Sequence, residues 1–583
     1  MNAVPLVSRP AISRFSVVEG ETRRSRFGSV MALRIAFWSV GLVLAAVQAW
    51  IFRFQVSADS ISYLDMSDAV MPGGNWHRII TGTWSPLYPF ILGCFRRLFR
   101  ISPGNEIAAG HGLNLFFFVF AFVSFEVFLR SLRPRLQILQ DRSESRKSPL
   151  PEWAYFSLAY SAFLWASISA ISLEKLRPDM LMSGFVYLAA ALLLEMRGRA
   201  NWARYLQMGV LLGVAFLAKA PMLPLGLLIL GLSLFIVENW HAALRMSVVA
   251  AGLIFLIGSL YFMPLSISRG HLTLGESGPF NYLVHVDGAG PSWYLENPGE
   301  GVGNFRHPPR ILFAPPPVYA FPVDTVVTHP LRFDPAWWMS GVRPHVDLRR
   351  QLAQSLLNLY FLKQILLPLF PLAAGILILA IVSQSRRVGQ SLSVVWPVCL
   401  IGIAGLAMYV VVHVEARYVG VFAALLACAV LRLFVDVPGK ANRYASILGT
   451  LLIAGSLLVP VALDLNHSDR QFGHDPNADF AAAEALKSLG IRSNDDVARI
   501  SPVVNDLGIE RIARVGVVSE VDLGDSQQFW NAPPETQRQI LSLFAKAGAK
   551  AVIATSPQLT NADRDEWIRL ANTHYWVWLP PRS

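Results

Sequence analysis

The chain has 583 residues, 54% hydrophobic and only 15% charged, with a mean hydropathy of +0.43. That balance excludes an ordinary soluble domain or a disordered chain and reads as a polytopic membrane protein. The net charge of +11 could suit nucleic acid, but the basic residues fall mostly in short loops between apolar runs. This is the positive-inside pattern, so no nucleic-acid partner is expected.

Residues 1–30 are polar and basic (Arg9, Arg14, Arg23, Arg24, Arg26) and read as a cytoplasmic N-terminus. The run Met31–Phe52 is long enough to cross a bilayer, which takes roughly 20 apolar residues, and too long for a signal-peptide core. We read it as an uncleaved signal anchor. It leads directly into Ser57-Ala58-Asp59-Ser60-Ile61-Ser62-Tyr63-Leu64-Asp65. Alone, Asp59 would be read as a solvated loop acid. At the exit of a membrane helix, however, a carboxylate meets both water and low dielectric, where its basicity can be tuned.

Further spans are predicted near 106–129, 153–172, 180–196, 205–219, 221–237, 246–267, 357–383, 391–412, 416–436 and 444–464, about eleven crossings in all. Arg130, Arg133, Arg135, Arg142, Arg146, Lys147, Arg197, Arg199, Arg204, Arg386, Arg387, Lys440 and Arg443 then share the side of the N-terminus. The weakest stretch is 205–237, which reads as two short helices broken at Lys219-Ala220-Pro221 or as one irregular hairpin. Residues 31–464 form the membrane domain. Outside lie loop 53–105, the short link 173–180, loop 268–356 and the C-terminus from 465.

Loop 53–105 ends in an apolar piece closed by Arg96, Arg97 and Arg100, expected to lie along the interface. Loop 268–356 is rich in Pro and aromatics, with Trp293, Tyr294, Trp337, Trp338, Asp287, His307, Asp334 and His345. Such rings pack on sugar faces or anchor at lipid headgroups, and anchoring is the expectation for Trp337 and Trp338. Residues 465–583 read as a small extracytoplasmic α/β domain. Strands are expected at 497–500, 517–521, 551–554 and 575–578, and helices near 477–489, 535–548 and 562–572. A parallel sheet is expected, and no GxGxxG or Walker motif suggests a nucleotide site. The domain is expected to serve a structural or docking role.

The three cysteines (Cys94, Cys399, Cys428) lack metal-ligand or CxxC spacing and read as packing thiols. No acid cluster has metal-ligand spacing, so neither metal nor cofactor is expected. Ionisable groups in the membrane part collect on the outer side. They are Asp59 and Asp65, then Glu174, Lys175, Arg177 and Asp179, then Lys219, and finally His413, Glu415, Arg417 and Tyr418. Charges so near hydrocarbon are costly unless paired or wet, and they mark function by default; pairing that stabilises helix ends is the structural alternative. Lys219, Arg417 and Arg177 can hold a phosphate. Asp59 or Asp179 can take a proton from a hydroxyl nucleophile. Transfer of a sugar from a lipid-linked phosphate needs both. Asp65 is kept as a secondary candidate, a solvent-facing position being its alternative.

In this order of segments the chain resembles the GT-C glycosyltransferases, in particular bacterial relatives of protein O-mannosyltransferases and of lipid A aminoarabinose transferases. Asp59 with Pro86-Leu87-Tyr88 resembles the family's first external loop, and Arg177-Pro178-Asp179 its acid-bearing second loop. Lys219-Ala220-Pro221 resembles its mid-chain Lys–small–Pro segment, and Glu415-Ala416-Arg417-Tyr418 its late turn. The resemblance implies a membrane enzyme that uses a polyprenyl-phosphate sugar donor and a glycan, lipid or protein acceptor, mostly with inversion. It makes Asp59 the general base and places Lys219 and Arg417 near the donor phosphate. Where many relatives carry Lys before Pro-Pro-Leu in the first loop, Trp84-Ser85 stands here. Two alternatives remain at this level. A polysaccharide polymerase or ligase acting on an undecaprenyl-pyrophosphate glycan would rely on His307, Arg310 and His345. A lipid-linked-sugar transporter or flippase would need broken helices in matching halves. A scaffold that has lost catalysis is a weaker option.

Overall fold

A computed structural model describes residues 15–132, 150–288, 303–321, 327–383, 385–435, 443–467, 476–501, 507–521, 524–555 and 566–581. Arg9, Arg14, Arg133, Arg135, Arg142, Arg146, Lys147, Trp293, Tyr294 and Lys440 lie outside these residues.

The membrane part is helical throughout. In chain order it holds α1 (Phe15–Ile51), α2 (Ala58–Ser67), α3 (Leu87–Leu98), α4 (Glu106–Ser131), α5 (Glu152–Leu164), α6 (Asp179–Glu195), α7 (Trp202–Ala218), α8 (Met222–Ile236), α9 (Trp240–Arg269) and α10 (Ser277–His285). Then come α11 (Leu348–Ile365), which begins inside the expected loop 268–356, α12 (Phe370–Val382), α13 (Ser385–Val412), α14 (Ala416–Arg432) and α15 (Arg443–His467).

Helix is present at every stretch expected to span, but length separates two groups. Among the described residues six helices are long and apolar enough to cross a membrane, or seven if the pair α11 and α12, bent by 56°, forms one span. Helices α6, α7 and α14 have 17 residues and α8 has 15. At 1.5 Å per residue these reach only about 23–26 Å, short of a hydrocarbon core of about 30 Å.

Packing follows from aromatic and small residues. Phe163 lies between Phe122 and Phe125, with ring centroids 4.6 and 4.7 Å away, joining α4 to α5. On α7, Gly209 meets the backbone of Ala250 so closely that an added Cβ would sit 2.8 Å from its carbonyl oxygen. Only a missing side chain lets α7 and α9 approach like this, as small residues do in membrane bundles. Arg34 of α1 and the Tyr160 hydroxyl both hold the buried Glu126 of α4.

The C-terminal segment adds α16 (Pro476–Ser488), α17 (Gly508–Ala513), α18 (Ser526–Asn531) and α19 (Pro534–Lys546) around a sheet. Its strands are β1 (Arg310–Phe313), β2 (Val318–Ala320), β3 (Asp496–Ile500), β4 (Gly516–Val521), β5 (Val552–Thr555), β6 (Trp567–Arg569) and β7 (Tyr575–Trp578), in the order β1-β2-β4-β3-β5-β7-β6. Only β4, β3 and β5 run parallel, with Arg499 opposite Glu520 on one side and Ile553 on the other. The sheet is therefore mixed, not parallel as expected. Its first two strands come from loop 268–356, outside the 465–583 segment.

The helix expected near 562–572 is also corrected over its described part, where Trp567–Arg569 pairs antiparallel with β7. The turn between them places Ala571 and Asn572 at φ 47° and 55°, a left-handed pair that reverses the chain in a hairpin and cannot continue a helix. Residues 562–565 lie outside the described part.

One face of the sheet carries Ile540, Leu541 and Phe544 of α19, while Val497, Val517, Ile553 and Tyr575 join the core that runs into the membrane helices. Two further expectations change. Trp338 is buried, its indole N–H donating to the Pro330 carbonyl (3.0 Å), and Trp337 stacks on His307 at 3.9 Å. Trp338 thus packs the loop rather than anchoring at headgroups. Arg96 in α3 is turned inward, 2% exposed, rather than lying at an interface.

Candidate functional site

Four turns on the sheet side of the helices supply the charged residues. Ser57 caps α2, its hydroxyl accepting the Ser60 N–H (3.3 Å), which sets Asp59 in the first turn of that helix. Pro178 precedes α6 and puts Asp179 at its first residue. Lys219 ends α7 with φ −159° in extended backbone, and Pro221 starts α8. A residue before proline avoids helical geometry, so Lys219-Ala220-Pro221 breaks the stretch into two short helices, the first of the two expected forms. Glu415 caps α14 and places Arg417 and Tyr418 in its first turn.

These residues meet around one cavity of about 680 Å³, within the usual size of a small-ligand site. The Asp59 carboxylate faces two guanidiniums, Arg177 at 3.4 Å and Arg417 at 3.3 Å. Asp179 binds Lys219 and lies 3.9 Å from Arg417. Glu415 takes Arg417 in a two-pronged pair at 2.6 and 3.1 Å, and a His413 ring nitrogen lies 3.2 Å from the same carboxylate. The Tyr418 ring supports both cations, with Lys219 4.1 Å and Arg417 4.6 Å from its centroid.

Burial alone would push the Glu415 carboxyl up. The hydrogen bond to His413 and the Arg417 charge instead hold it well below the usual carboxylate range. His285 of α10 stacks on His413 at 3.8 Å. Burial, and then the charge of His413, bring His285 down to about 4, so its ring is neutral near pH 7.

Among the sequence-chosen residues, Asp59, Asp179, Lys219, His413, Glu415, Arg417 and Tyr418 line the cavity. Arg177 does not line it but reaches Asp59. Glu174 pairs with Lys175 at 3.5 Å and stays out of the lining. Asp65 is not solvent-facing. Six residues along a helix turn the chain through roughly 600°, so Asp65 points well away from Asp59. It is 4% exposed, accepts the Thr328 N–H (3.0 Å) and hydroxyl (2.8 Å), and meets Arg511 at 2.5 Å. His307, Arg310 and His345, on which the polymerase alternative relied, do not line the cavity. Among the described residues no three His, Cys, Asp or Glu side chains gather closely enough to hold a metal ion.

Several lining residues had no sequence signal of their own: Tyr63, His285, Arg332 and Tyr409. Trp84, noticed only as a departure from the family pattern, also lines it. The segment that carries it is fixed by Asp334, which accepts the N–H groups of Gly82 (3.0 Å) and Thr83 (3.2 Å) and binds Arg269 at 2.6 Å. The cavity therefore combines carboxylates, cations and an aromatic wall at the sheet end of the helices. That set can hold a phosphate, take a proton from a hydroxyl and pack a sugar ring.

No family model matches the chain, and no curated protein matches it. Solved structures do. ArnT from Cupriavidus metallidurans in the apo state is 14% identical, with a TM-score of 0.36, over 94% of this chain and 100% of that one. The same protein bound to undecaprenyl phosphate is 14% identical with a TM-score of 0.38, over 95% and 98%. The Archaeoglobus fulgidus oligosaccharyltransferase, tethered to an acceptor peptide, is 12% identical with a TM-score of 0.43, over 88% and 69%. With every score below 0.5, they add nothing to the geometry of the cavity.

Proposed function

We propose that the chain is an integral-membrane glycosyltransferase, with Asp59 as general base. It moves a hexosyl or pentosyl group from a polyprenyl-phosphate donor to a glycan, lipid or protein acceptor. The reaction takes place at the extracytoplasmic face of the inner membrane, with about eleven crossings and a cytoplasmic N-terminus. The observation that carries this reading is convergence. Residues 59, 179, 219, 415 and 417, far apart in sequence and each at a helix end, line one cavity.

The chemistry is a single displacement. The acceptor hydroxyl oxygen attacks the anomeric carbon as its proton passes to the Asp59 carboxylate. The bond from that carbon to the phosphate oxygen breaks, and the electron pair leaves on the lipid phosphate. Lys219 and Arg417 hold the charge that develops there, and their fixed placement makes this worth more than the same contact in water. Attack opposite the leaving group inverts the sugar carbon. Arg177 and Glu415 act on the arrangement, Arg177 by facing Asp59 and Glu415 by fixing the Arg417 fork.

The test is Asp59→Asn in cells whose own copy is deleted. Lipid-linked sugar should accumulate in the deletion strain and disappear when the wild-type chain is restored. With Asp59→Asn it should stay high, by at least the ~10²-fold loss of rate expected when a general base is removed, while membrane insertion is unchanged. Full turnover by this variant would remove Asp59 as the base.

A further inference from the structure

Lys219, Arg417 and Arg332 line the cavity and Arg177 reaches Asp59 from beside it; three of these four cations are already engaged. Arg177 faces Asp59, Lys219 binds Asp179, and Arg417 binds Glu415 and Asp59. Three carboxylates therefore meet three cations. Arg332 lines the same cavity and breaks this balance. Among the described residues its guanidinium has no carboxylate within 4.0 Å and makes no hydrogen bond. Glu520, the sheet carboxylate whose charge Arg332 influences, is hydrogen-bonded to His329 at 3.0 Å.

The Arg332 backbone is nonetheless well fixed. Its N–H donates to the His329 carbonyl (3.2 Å), and its own carbonyl accepts the Ser62 hydroxyl (2.8 Å). Ser62 is one helical turn from Asp59 on α2 and lines the cavity too. An aromatic wall stands beside it: the Trp84 ring, which also lines the cavity, packs on Tyr63, next in sequence to Ser62, at 5.4 Å. A half-buried guanidinium with no carboxylate beside it suits an anionic oxygen group, which it can bind through charge-assisted hydrogen bonds.

We propose that Arg332 forms a second anion subsite in this cavity, taking a phosphate or carboxylate carried on a sugar that packs beside the Trp84 ring. The naming of its ligands as substrates rests on the glycosyltransferase reading; the subsite itself does not. Two sources share this chemistry. One is the phosphate of the lipid donor, the other an anionic group on the acceptor.

The experiment measures binding of two probes, undecaprenyl phosphate and glucose 1-phosphate, to the full-length protein in nanodiscs. The proteins compared are wild type, Arg332→Gln and Arg332→Lys. Arg332→Gln should weaken at least one probe by about tenfold or more, the scale of a charge-assisted hydrogen bond. Arg332→Lys should recover part of the loss. A loss confined to undecaprenyl phosphate assigns the subsite to the donor phosphate; a loss confined to glucose 1-phosphate assigns it to the acceptor side. Affinities within about twofold of wild type for both probes in Arg332→Gln, in protein that melts like wild type, overturn the subsite. Binding that depends on Arg332 in a protein that transfers no sugar would leave the subsite standing and remove the enzymatic reading. Transfer with binding indifferent to Arg332 would do the reverse.

Discussion

Arg417 is held by both oxygens of Glu415, and this fork decides where its remaining nitrogen points. Arg417→Lys keeps the charge but cannot reproduce two parallel bonds, so transfer should fall about tenfold or more while the protein stays folded. The same assay of lipid-linked sugar reads this, and a wild-type rate would remove the fork from the mechanism. His285 gives a pH signature. Its folded value of about 4 lies below the ordinary histidine value of about 6.5, so between those values the unfolded chain binds more protons. Stability from this group is complete above pH 6.5 and lost as the pH falls toward 4. His285→Phe keeps a ring against His413 and should flatten the acid side of the melting profile between pH 7.5 and 5. An equally steep profile in the variant would locate the titration elsewhere. At this scale, the cavity residues readable in the sequence were charges at helix ends, where polarity contrasts with apolar surroundings. Arg332 and His285 were not readable. They sit in a long polar loop where one more charge is unremarkable, and only folding brings them to the cavity.

The helix that carries Asp59 is braced from the far side by the C-terminal domain. Arg511 of α17, 2% exposed, meets Asp65 at 2.5 Å and both Asp68 and Glu106 at 2.8 Å. Arg514 and Arg96 each also bind Asp68 and Glu106, so three guanidiniums face three carboxylates. Burial pushes the Asp65 carboxyl up, against the pull of Arg511, and only a complete network keeps such charges tolerable. Beside it, Leu507 packs on Ala58 and Ile61, the residues that flank Asp59 in the first turns of α2. Arg511→Ala leaves buried acids short of a partner and should cost about 3–5 kcal/mol in thermal or denaturant unfolding. Leu507→Ala removes packing only and should cost about 2–5 kcal/mol. If Arg511→Ala costs under about 1 kcal/mol, the network is not holding the domain. The strands at 497–500, 517–521, 551–554 and 575–578 were legible because short apolar runs alternate with amphipathic helices. The β1–β2 hairpin was not, since it lies nearly two hundred residues before its partner β4 and carries no mark of that pairing.

Across the whole molecule, the arrangement of charge predicts which end of the bundle faces out. The cavity turns, the described part of loop 268–356 and the sheet all lie at one end, whereas Arg130, in the last turn of α4, and Arg199 sit at the other. Positive charge in short loops is retained on the cytoplasmic side, so the cavity should face outward. The four helices of 15–17 residues bear on this, because too short a helix changes the side on which everything after it emerges. Two of them, α7 and α8, flank Lys219 directly. A short apolar helix can be accommodated by local thinning of the bilayer at a fraction of a kcal/mol per Å, which is small beside the charges it places. Single cysteines at Lys550, Arg130 and Arg199, all exposed, test the threading. In intact cells a membrane-impermeant maleimide should label Lys550→Cys, and should reach Arg130→Cys and Arg199→Cys only after permeabilisation. Labelling of Arg199→Cys from outside, with Arg130→Cys still protected, would mean that only one of the two helical segments between them, 152–171 and α6, crosses. The chain would then emerge on the wrong side at α7, and Lys219 would reach the cavity by a different path through the membrane.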